Sequence, residues 1–303
     1  MNRYIFVFLI LLSACGTKKE KVAEQDISKP LVAAVNYPLF YMASEIGKEM
    51  IEVHFPEMEG DPAFWEPNEN EINVFQSSDL ILLNGASYAK WVSKVSLPMS
   101  KIVNTSNGFS SEFLELEDQV VHNHGPEGEH SHKGTAFTTW LDFSLAIKHA
   151  EAILEALISL MPENEEKLTA NFLELKTQFS ELNSNMNQIS ASLNDVQIYA
   201  SHPVYQYLAK AYGLKINSEH WEPDVFPGEE QWSQFNHKLD HNPSDLMIWE
   251  DHPIEETKIR LDELGVKVIV FNPGGNRPDS GDFISLMHSN MEALNNYISK
   301  IPN

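Results

Sequence analysis

The sequence predicts an α/β protein of two lobes, each with a mostly parallel central sheet, joined by one long rigid helix. Short continuous apolar runs alternate with amphipathic stretches in both halves of the chain, which is typical of strands covered by helices on both faces. Between the halves, one apolar stripe continues over residues 162–193. About 275 residues follow the polar N-terminal region, which is more than one domain usually holds.

The first half contains four apolar runs that we interpret as strands, with a helical stretch after each of the first three. The strands are expected at 31–35, 51–55, 79–84 and 101–103, and the helices at 40–50, 68–77 and 86–95. Because strand and helix alternate, this order predicts an N-terminal α/β lobe over residues 31–140.

The second half repeats this alternation. Strands are expected at 196–200, 214–216, 246–249 and 266–271, and helices at 204–212, 229–239 and 254–264. We therefore expect a C-terminal α/β lobe over residues 195–303.

The clearest helix is expected at 162–193, inside a helical region over 141–194. Its apolar residues are spaced alternately by four and three positions, which places them on one face: Leu168, Phe172, Leu175, Phe179, Leu182, Met186, Ile189 and Leu193. At 1.5 Å per residue the helix would be about 45–50 Å long, enough to connect both lobes. The alternative is a coiled-coil dimerisation helix. The α/β segments that flank it closely favour the connection within one chain.

The N-terminus has the features of an export signal. A short basic start precedes an apolar run at 4–12, which is too short to span a bilayer, and Cys15 is the only cysteine. Small residues before this cysteine resemble a bacterial lipobox, which implies a signal peptide over 1–14, acylation of Cys15 by membrane lipid, and a polar tether over 15–30. The chain would then be exported and anchored at a periplasmic or cell-surface membrane face. An ordinary buried cysteine is the alternative.

The formal charge is −23, and removal of residues 1–14, which carry one arginine and no acid, makes it −24 (−23 − 1). Such acidity argues against a nucleic-acid partner, because phosphates would be repelled. It would attract cations, although solubility alone also explains it.

Five segments, in chain order, resemble motifs of the zinc/manganese-binding family of ABC-importer substrate-binding proteins. They lie at 60–67, 84–91, 140–142, 201–209 and 268–273. The resemblance implies a lipoprotein that binds a divalent cation, Zn²⁺ or alternatively Mn²⁺, in the interlobe cleft and delivers it as cargo to a membrane permease. It implies binding rather than catalysis.

The family's ligand positions are largely changed in this chain. The motifs place Ala63, Thr138 and Asn272 at three of the four usual ligand positions, and only His202 keeps a ligating side chain. Alanine has no donor atom, and neutral threonine and asparagine are poor zinc ligands. The standard site is therefore either lost or rebuilt from other residues.

Three glutamates could rebuild the site around His202. Glu66 lies three residues after Ala63, Glu222 follows a second-lobe strand, and Glu250 follows another, at the strand edge where ligands gather in parallel sheets. We therefore predict His202, Glu66, Glu222 and Glu250 as metal ligands. Local capping or ion pairing is the alternative for Glu66 and Glu222.

Aromatic residues near the expected cleft allow a different cargo. Trp65 and Trp140, together with Thr138 and Asn272, are predicted to line the cleft, and Phe64, Trp221 and Trp249 lie at or beside the same loops. Such a lining suits a chelated metal or a small organic ligand. Ordinary packing between the lobes explains these residues equally well.

Residues 122–132 form a histidine-rich segment, in which glycine and proline argue against a helix or strand. Its four histidines are His122, His124, His130 and His132. Two His-x-His pairs can collect a transition-metal ion weakly without a folded scaffold. A polar loop without such a role is the alternative.

Other functional classes are less favoured. A surface adhesin or a metal-buffering protein without a permease partner is a further possible function, because it would also need an exported chain with metal-binding side chains. An enzyme is disfavoured, since the sequence contains neither a Gly-x-Ser-x-Gly turn nor a phosphate-binding loop.

Overall fold

The computed structural model describes residues 29–56, 58, 62–116, 121–123, 129–131 and 134–300. The predicted signal peptide, Cys15 and nearly all of the tether lie outside the described residues, as do His124 and His132. Within the described part of the chain, no helix is both long and apolar enough to cross a bilayer.

The N-terminal sheet contains the four predicted strands. They are β1 (Leu31–Ala34), β2 (Glu52–His54), β3 (Leu80–Leu83) and β4 (Ile102–Asn104), all parallel in the order β2-β1-β3-β4. Helices α1 (Tyr37–Gly47) and α2 (Glu69–Ser77) make crossovers. The central strand β1 is buried on both faces, as its unbroken apolar run predicted.

The prediction of a helix at 86–95 is wrong. The chain forms only a 3₁₀ turn there, Lys90–Lys94, because Gly85, Ala86 and Ser87 have φ values of 76°, 49° and 60°. Three successive left-handed residues cannot start a right-handed helix. Gly85 is also required sterically, since a Cβ at this position would lie 1.9 Å from Ser106 Oγ.

The histidine-rich segment contains a short antiparallel ladder. Strands β5 (Val121–Asn123) and β6 (Glu129–Ser131) pair with residue 122 directly opposite residue 130. The expectation that glycine and proline exclude strands here is therefore wrong at both ends of the segment. These breakers lie at 125, 126 and 128, between the two strands rather than within them.

Two long antiparallel helices follow, α3 (Phe143–Leu160) and α4 (Glu165–Ala191). Pro162 begins a 3₁₀ turn just before α4. The whole α4 stripe from Leu168 to Ile189 is buried within the chain, so it is not a free surface for a coiled-coil partner. Helix α4 packs on α1 of the N-terminal lobe and also contacts α5 (Gln206–Tyr212) of the C-terminal lobe, which confirms a long connecting helix.

The C-terminal sheet also has four parallel strands. They are β7 (Gln197–Ala200), β8 (Lys215–Ser218), β9 (Leu246–Trp249) and β10 (Lys267–Val270), in the order β10-β9-β7-β8. Three helices accompany the strands: α5 (Gln206–Tyr212), α6 (Glu229–His241) and α7 (Glu255–Glu263). The alternation predicted for this half is confirmed.

A final helix, α8 (Phe283–Ile298), returns to the centre of the molecule. Its Phe283 ring lies 5.9 Å from Tyr41 of α1 and 6.0 Å from Phe179 of α4. The last helix of the chain thus packs against the first lobe. The single long helix α4 joins the lobes along the chain, as predicted, and α8 adds packing between them.

Candidate metal centre

The carboxyl ends of β7, β8 and β9 meet at one edge of the C-terminal sheet. Backbone pairing continues past the strands, since the N–H groups of Glu219 and Trp221 donate to the carbonyls of Ala200 and Ser201 at 2.8 and 2.9 Å. The Ser201 N–H donates to Ile248 at 2.9 Å. This extended ladder brings the residues that follow the three strands side by side, as expected for a ligand site in a parallel sheet.

His202 lies at the centre of this edge between two carboxylates. Its Nδ1 is 2.9 Å from Glu250 Oε1 and its Nε2 is 3.3 Å from Glu222 Oε1, while its side chain is only 14% exposed. Burial alone would lower the pKa of His202, but hydrogen bonds to Glu222 and Glu250 and their negative charge outweigh it and raise the pKa to about 10. The imidazole of His202 is therefore protonated at neutral pH in the metal-free protein, between two carboxylates.

A second imidazole lies beside this group. The ring of His220 is edge-on to the ring of His202, with centroids 6.1 Å apart and an interplanar angle of 85°. Its loop is fixed by Gln231, whose amide donates to the His220 carbonyl at 3.3 Å, and by the Ile254 N–H, which donates to Pro223 at 2.9 Å. The family motifs contain no position for His220, so it was not among the predicted ligands. Its position two residues before Glu222, after the same strand, could have indicated that it reaches the site.

The other family ligand positions serve structural roles. Ala63 is buried, and the Thr138 hydroxyl donates to the Val204 carbonyl across the lobes at 2.5 Å. The Asn272 side-chain oxygen accepts the Gly274 N–H at 2.8 Å and so stabilises a turn. Zinc ligation at these positions would require donor chemistry that the side chains lack.

Glu66 forms an ion pair with Lys94 on the surface, and a hydrogen bond from Lys94 lowers the pKa of its carboxyl. Glu66 thus forms the local ion pair that was the alternative to metal ligation. Glu222 and Glu250, in contrast, both contact His202. Within the described ranges, no three His, Cys, Asp or Glu side chains are gathered tightly enough to hold a cation as placed. A cation would have to enter between His202 Nε2 and Glu222, and the four-ligand set stays a prediction.

The site opens into a large cleft between the lobes, with a volume of about 2290 Å³. Phe64, Trp65 and Trp140 line it, and Trp140 Nε1 also donates to the Pro273 carbonyl at 2.7 Å, which ties the lobes together. Trp221 and Trp249 adjoin cleft-lining residues, Glu222 and Glu250, but their own side chains do not line the cleft. Both are buried in the second lobe's own aromatic core, where Trp221 packs 4.6 Å from Trp232 and 4.9 Å from Phe235.

Comparison with known proteins identifies the family. The family of ZnuA, the periplasmic component A of the zinc-uptake complex, matches residues 32–297. The chain belongs to the ZnuA family. The high-affinity zinc uptake system protein ZnuA of Bacillus subtilis (strain 168) is 26% identical over 300 residues, which cover 94% of this chain and 93% of that protein.

Solved structures show the same fold as this ZnuA-family chain. The metal-dependent lipoprotein YcdH of Bacillus subtilis has a TM-score of 0.75 at 21% identity, over 88% of this chain and 98% of that one. The Zn(II)-bound ZnuA-like domain of Streptococcus pneumoniae AdcA has a TM-score of 0.73 at 18% identity, over 90% and 100% of the two chains. These matches confirm the predicted two-lobed fold, and the family confirms a binding protein of uptake rather than an enzyme.

Proposed function

We propose that this ZnuA-family protein binds Zn²⁺ in its interlobe cleft and delivers it to the membrane permease of an ABC importer. The observation that carries the proposal is the largely buried imidazole of His202, which lies between Glu222 and Glu250 where three strand ends meet. Imidazole and carboxylate are ligands that zinc prefers. Because the usual ligand positions carry Ala63, Thr138 and Asn272, the cargo is bound by a rebuilt set.

The two nitrogens of His202 have separate roles in this proposal. Nε2 faces Glu222, and a zinc ion that entered there would displace the proton that the imidazole carries in the metal-free protein. Nδ1 lies 2.9 Å from the Glu250 carboxylate, whose charge would orient the ring and raise its basicity, as carboxylates behind zinc-bound histidines do. Mn²⁺ would bind such a site less strongly than Zn²⁺.

The remaining assignments are proposed on sequence grounds. We expect acylated Cys15 to hold the protein at the outer face of a membrane, with residues 15–30 as its tether and the lobes at 31–140 and 195–303 beyond it. His122, His124, His130 and His132 would collect zinc weakly, separately from the ion held in the cleft. The ladder that pairs residue 122 with residue 130 supports this role, because it brings two histidine positions together.

The test is zinc binding to the purified mature chain, with His202→Ala as the site variant. The exposed His288 on α8 offers a matched control, His288→Ala. We expect one tight equivalent of Zn²⁺ in the wild type and in the control, and its loss in His202→Ala, measured by competition with a chelating dye. Failure of the wild type to bind zinc, or tight binding that survives in His202→Ala, would contradict the proposal.

One observation favours a second cargo, a chelated metal or a small organic anion. The cleft volume exceeds the roughly 300–1,000 Å³ of ordinary ligand pockets, and Lys90, Lys94 and Arg277 contribute to its lining. Mass spectrometry of the native protein purified from its source would distinguish the two, since a chelate adds a mass beyond that of the metal.

A further inference from the structure

His220 is placed beside His202 by the backbone rather than by chance contact of two mobile side chains. The ladder between β7 and β8 pairs Ala200 with Ser218 and then continues through the hydrogen bonds of Glu219 and Trp221. Residues 202 and 220 therefore follow two neighbouring parallel strands at nearly the same level. Their side chains reach the same end of the sheet.

The distance between the two rings is close to the distance between two imidazoles that bind the same metal ion. With Zn–N bonds of about 2.0–2.1 Å, two imidazoles on one tetrahedral zinc have ring centroids about 5 Å apart. The observed distance is 6.1 Å with the rings edge-on. A side-chain movement of roughly 1 Å would thus let both rings face one cation.

The loop that carries His220 is rigid enough to keep the ring at this place. Trp221, the next residue, is buried among Trp232, Phe235 and Trp249, and its N–H is bonded to Ser201. The His220 carbonyl accepts the amide of Gln231. The His220 side-chain torsions can still adjust while the backbone is fixed, so binding a ligand costs little conformational entropy.

The N-terminal lobe does not supply an equivalent donor at the family positions. Ala63 has none, and the Thr138 hydroxyl is directed to the Val204 carbonyl. Glu66 is paired with Lys94. Among the residues that the structure describes, the donors that converge near His202 belong to the C-terminal lobe.

We infer that His220 is a second imidazole ligand of the cargo cation, which the C-terminal lobe holds through His202, His220 and Glu222. This inference rests on the proposed function and specifies its site. Two nitrogens and one carboxylate oxygen suit Zn²⁺ better than hard cations such as Mg²⁺ or Ca²⁺. Three protein ligands also leave a fourth position open toward the cleft, for water or for a group of a chelator.

The experiment measures Zn²⁺ alone on the full mature chain. Zinc K-edge X-ray absorption of the wild type should show two imidazoles, falling to one in His220→Gln. Dye competition should show zinc affinity about 100-fold weaker in His220→Gln, the share of one ligand in such a site. The exposed histidines His252 and His288 provide the comparison variants His252→Gln and His288→Gln, which should bind as the wild type does.

The outcomes separate this inference from the proposed function. If the wild type binds zinc and His202→Ala abolishes binding, while His220→Gln binds like the wild type, His220 is not a ligand and the single-lobe site is wrong. The same holds if His252→Gln weakens binding in its place, or if the wild-type spectrum shows one imidazole. If the wild type binds no zinc, the proposed function itself fails. The spectrum of the wild type needs no variant, so misfolding of a mutant cannot decide the result.

Discussion

His149 should make the protein acid-sensitive for a reason that the structure makes explicit. Its ring is fully buried on α3, with Nδ1 2.6 Å from the Thr105 hydroxyl and Nε2 2.8 Å from the Thr139 hydroxyl. Thr105 donates its own proton to the Leu83 carbonyl at 2.9 Å, so its oxygen accepts from Nδ1–H, and Nε2 accepts from Thr139. Both hydrogen bonds suit the neutral ring. Burial lowers the pKa of His149 to about 3.

The sign of the effect follows from comparing the folded and unfolded states. An unfolded histidine has a pKa near 6.5, so between pH 6.5 and about 3 the unfolded chain binds a proton that the folded chain does not bind. The contribution of His149 to stability is complete above pH 6.5. It falls by about 1.4 kcal/mol for each pH unit below this value, or roughly 2.5 kcal/mol by pH 4.5.

The assay is urea unfolding of the zinc-free wild type and of His149→Gln at pH 7.5, 5.5 and 4.5. Glutamine keeps a donor and an acceptor but does not titrate, so the variant should start less stable, by about 1–3 kcal/mol. It should then lose roughly 2.5 kcal/mol less than the wild type on going to pH 4.5. Carboxylates titrate equally in both proteins and cancel in this difference. Equal losses in the two proteins would refute the reasoning.

Two further predictions concern cation binding. Glu250→Gln should weaken zinc binding about 10- to 100-fold in a dye-competition assay, because the carboxylate 2.9 Å from His202 Nδ1, which orients the ring, loses its charge. The neighbouring exposed carboxylate provides the control Asp251→Asn, and an equal loss there would mean that overall charge, not orientation, matters. Deletion of residues 122–132 should lower the number of zinc ions bound but keep the tight one, since His-x-His pairs bind a cation weakly and imidazoles bind it only while they are unprotonated. Unchanged stoichiometry after the deletion would show that the loop does not collect zinc.

The strands could be predicted from the sequence because strands that are buried on both faces consist of continuous apolar residues. The run that contains β1 is apolar at every position, as a strand covered on both faces must be, and the α4 stripe follows the helical period. The failed helix at 86–95 depends on backbone dihedral angles. Only Gly85 suggested left-handed geometry, and Ala86 and Ser87 share it without any sign in their side chains.

The site was predicted in part for a similar reason. Glu222 and Glu250 follow strands, and the strand ends of a parallel sheet converge, so the structure brings both to His202, although their role as ligands stays a prediction. Glu66 was expected from its distance to Ala63 along the chain, which says nothing about the Lys94 that engages it. Trp221 lies beside a cleft loop, but the sequence does not reveal that its side chain turns into the core of the second lobe.

The packing between the lobes has a consequence for how a permease could distinguish loaded protein from empty protein. Because α8 packs against α1 and α4, and because Thr138 and Trp140 donate to carbonyls of the opposite lobe, hinge motion between the lobes is restricted. Arrival of a cargo ion would hardly alter the outer contour. A membrane partner would have to sense the short segment after β8, where Glu222 must shift to admit the ion, and read occupancy from one loop instead of from a change in overall shape.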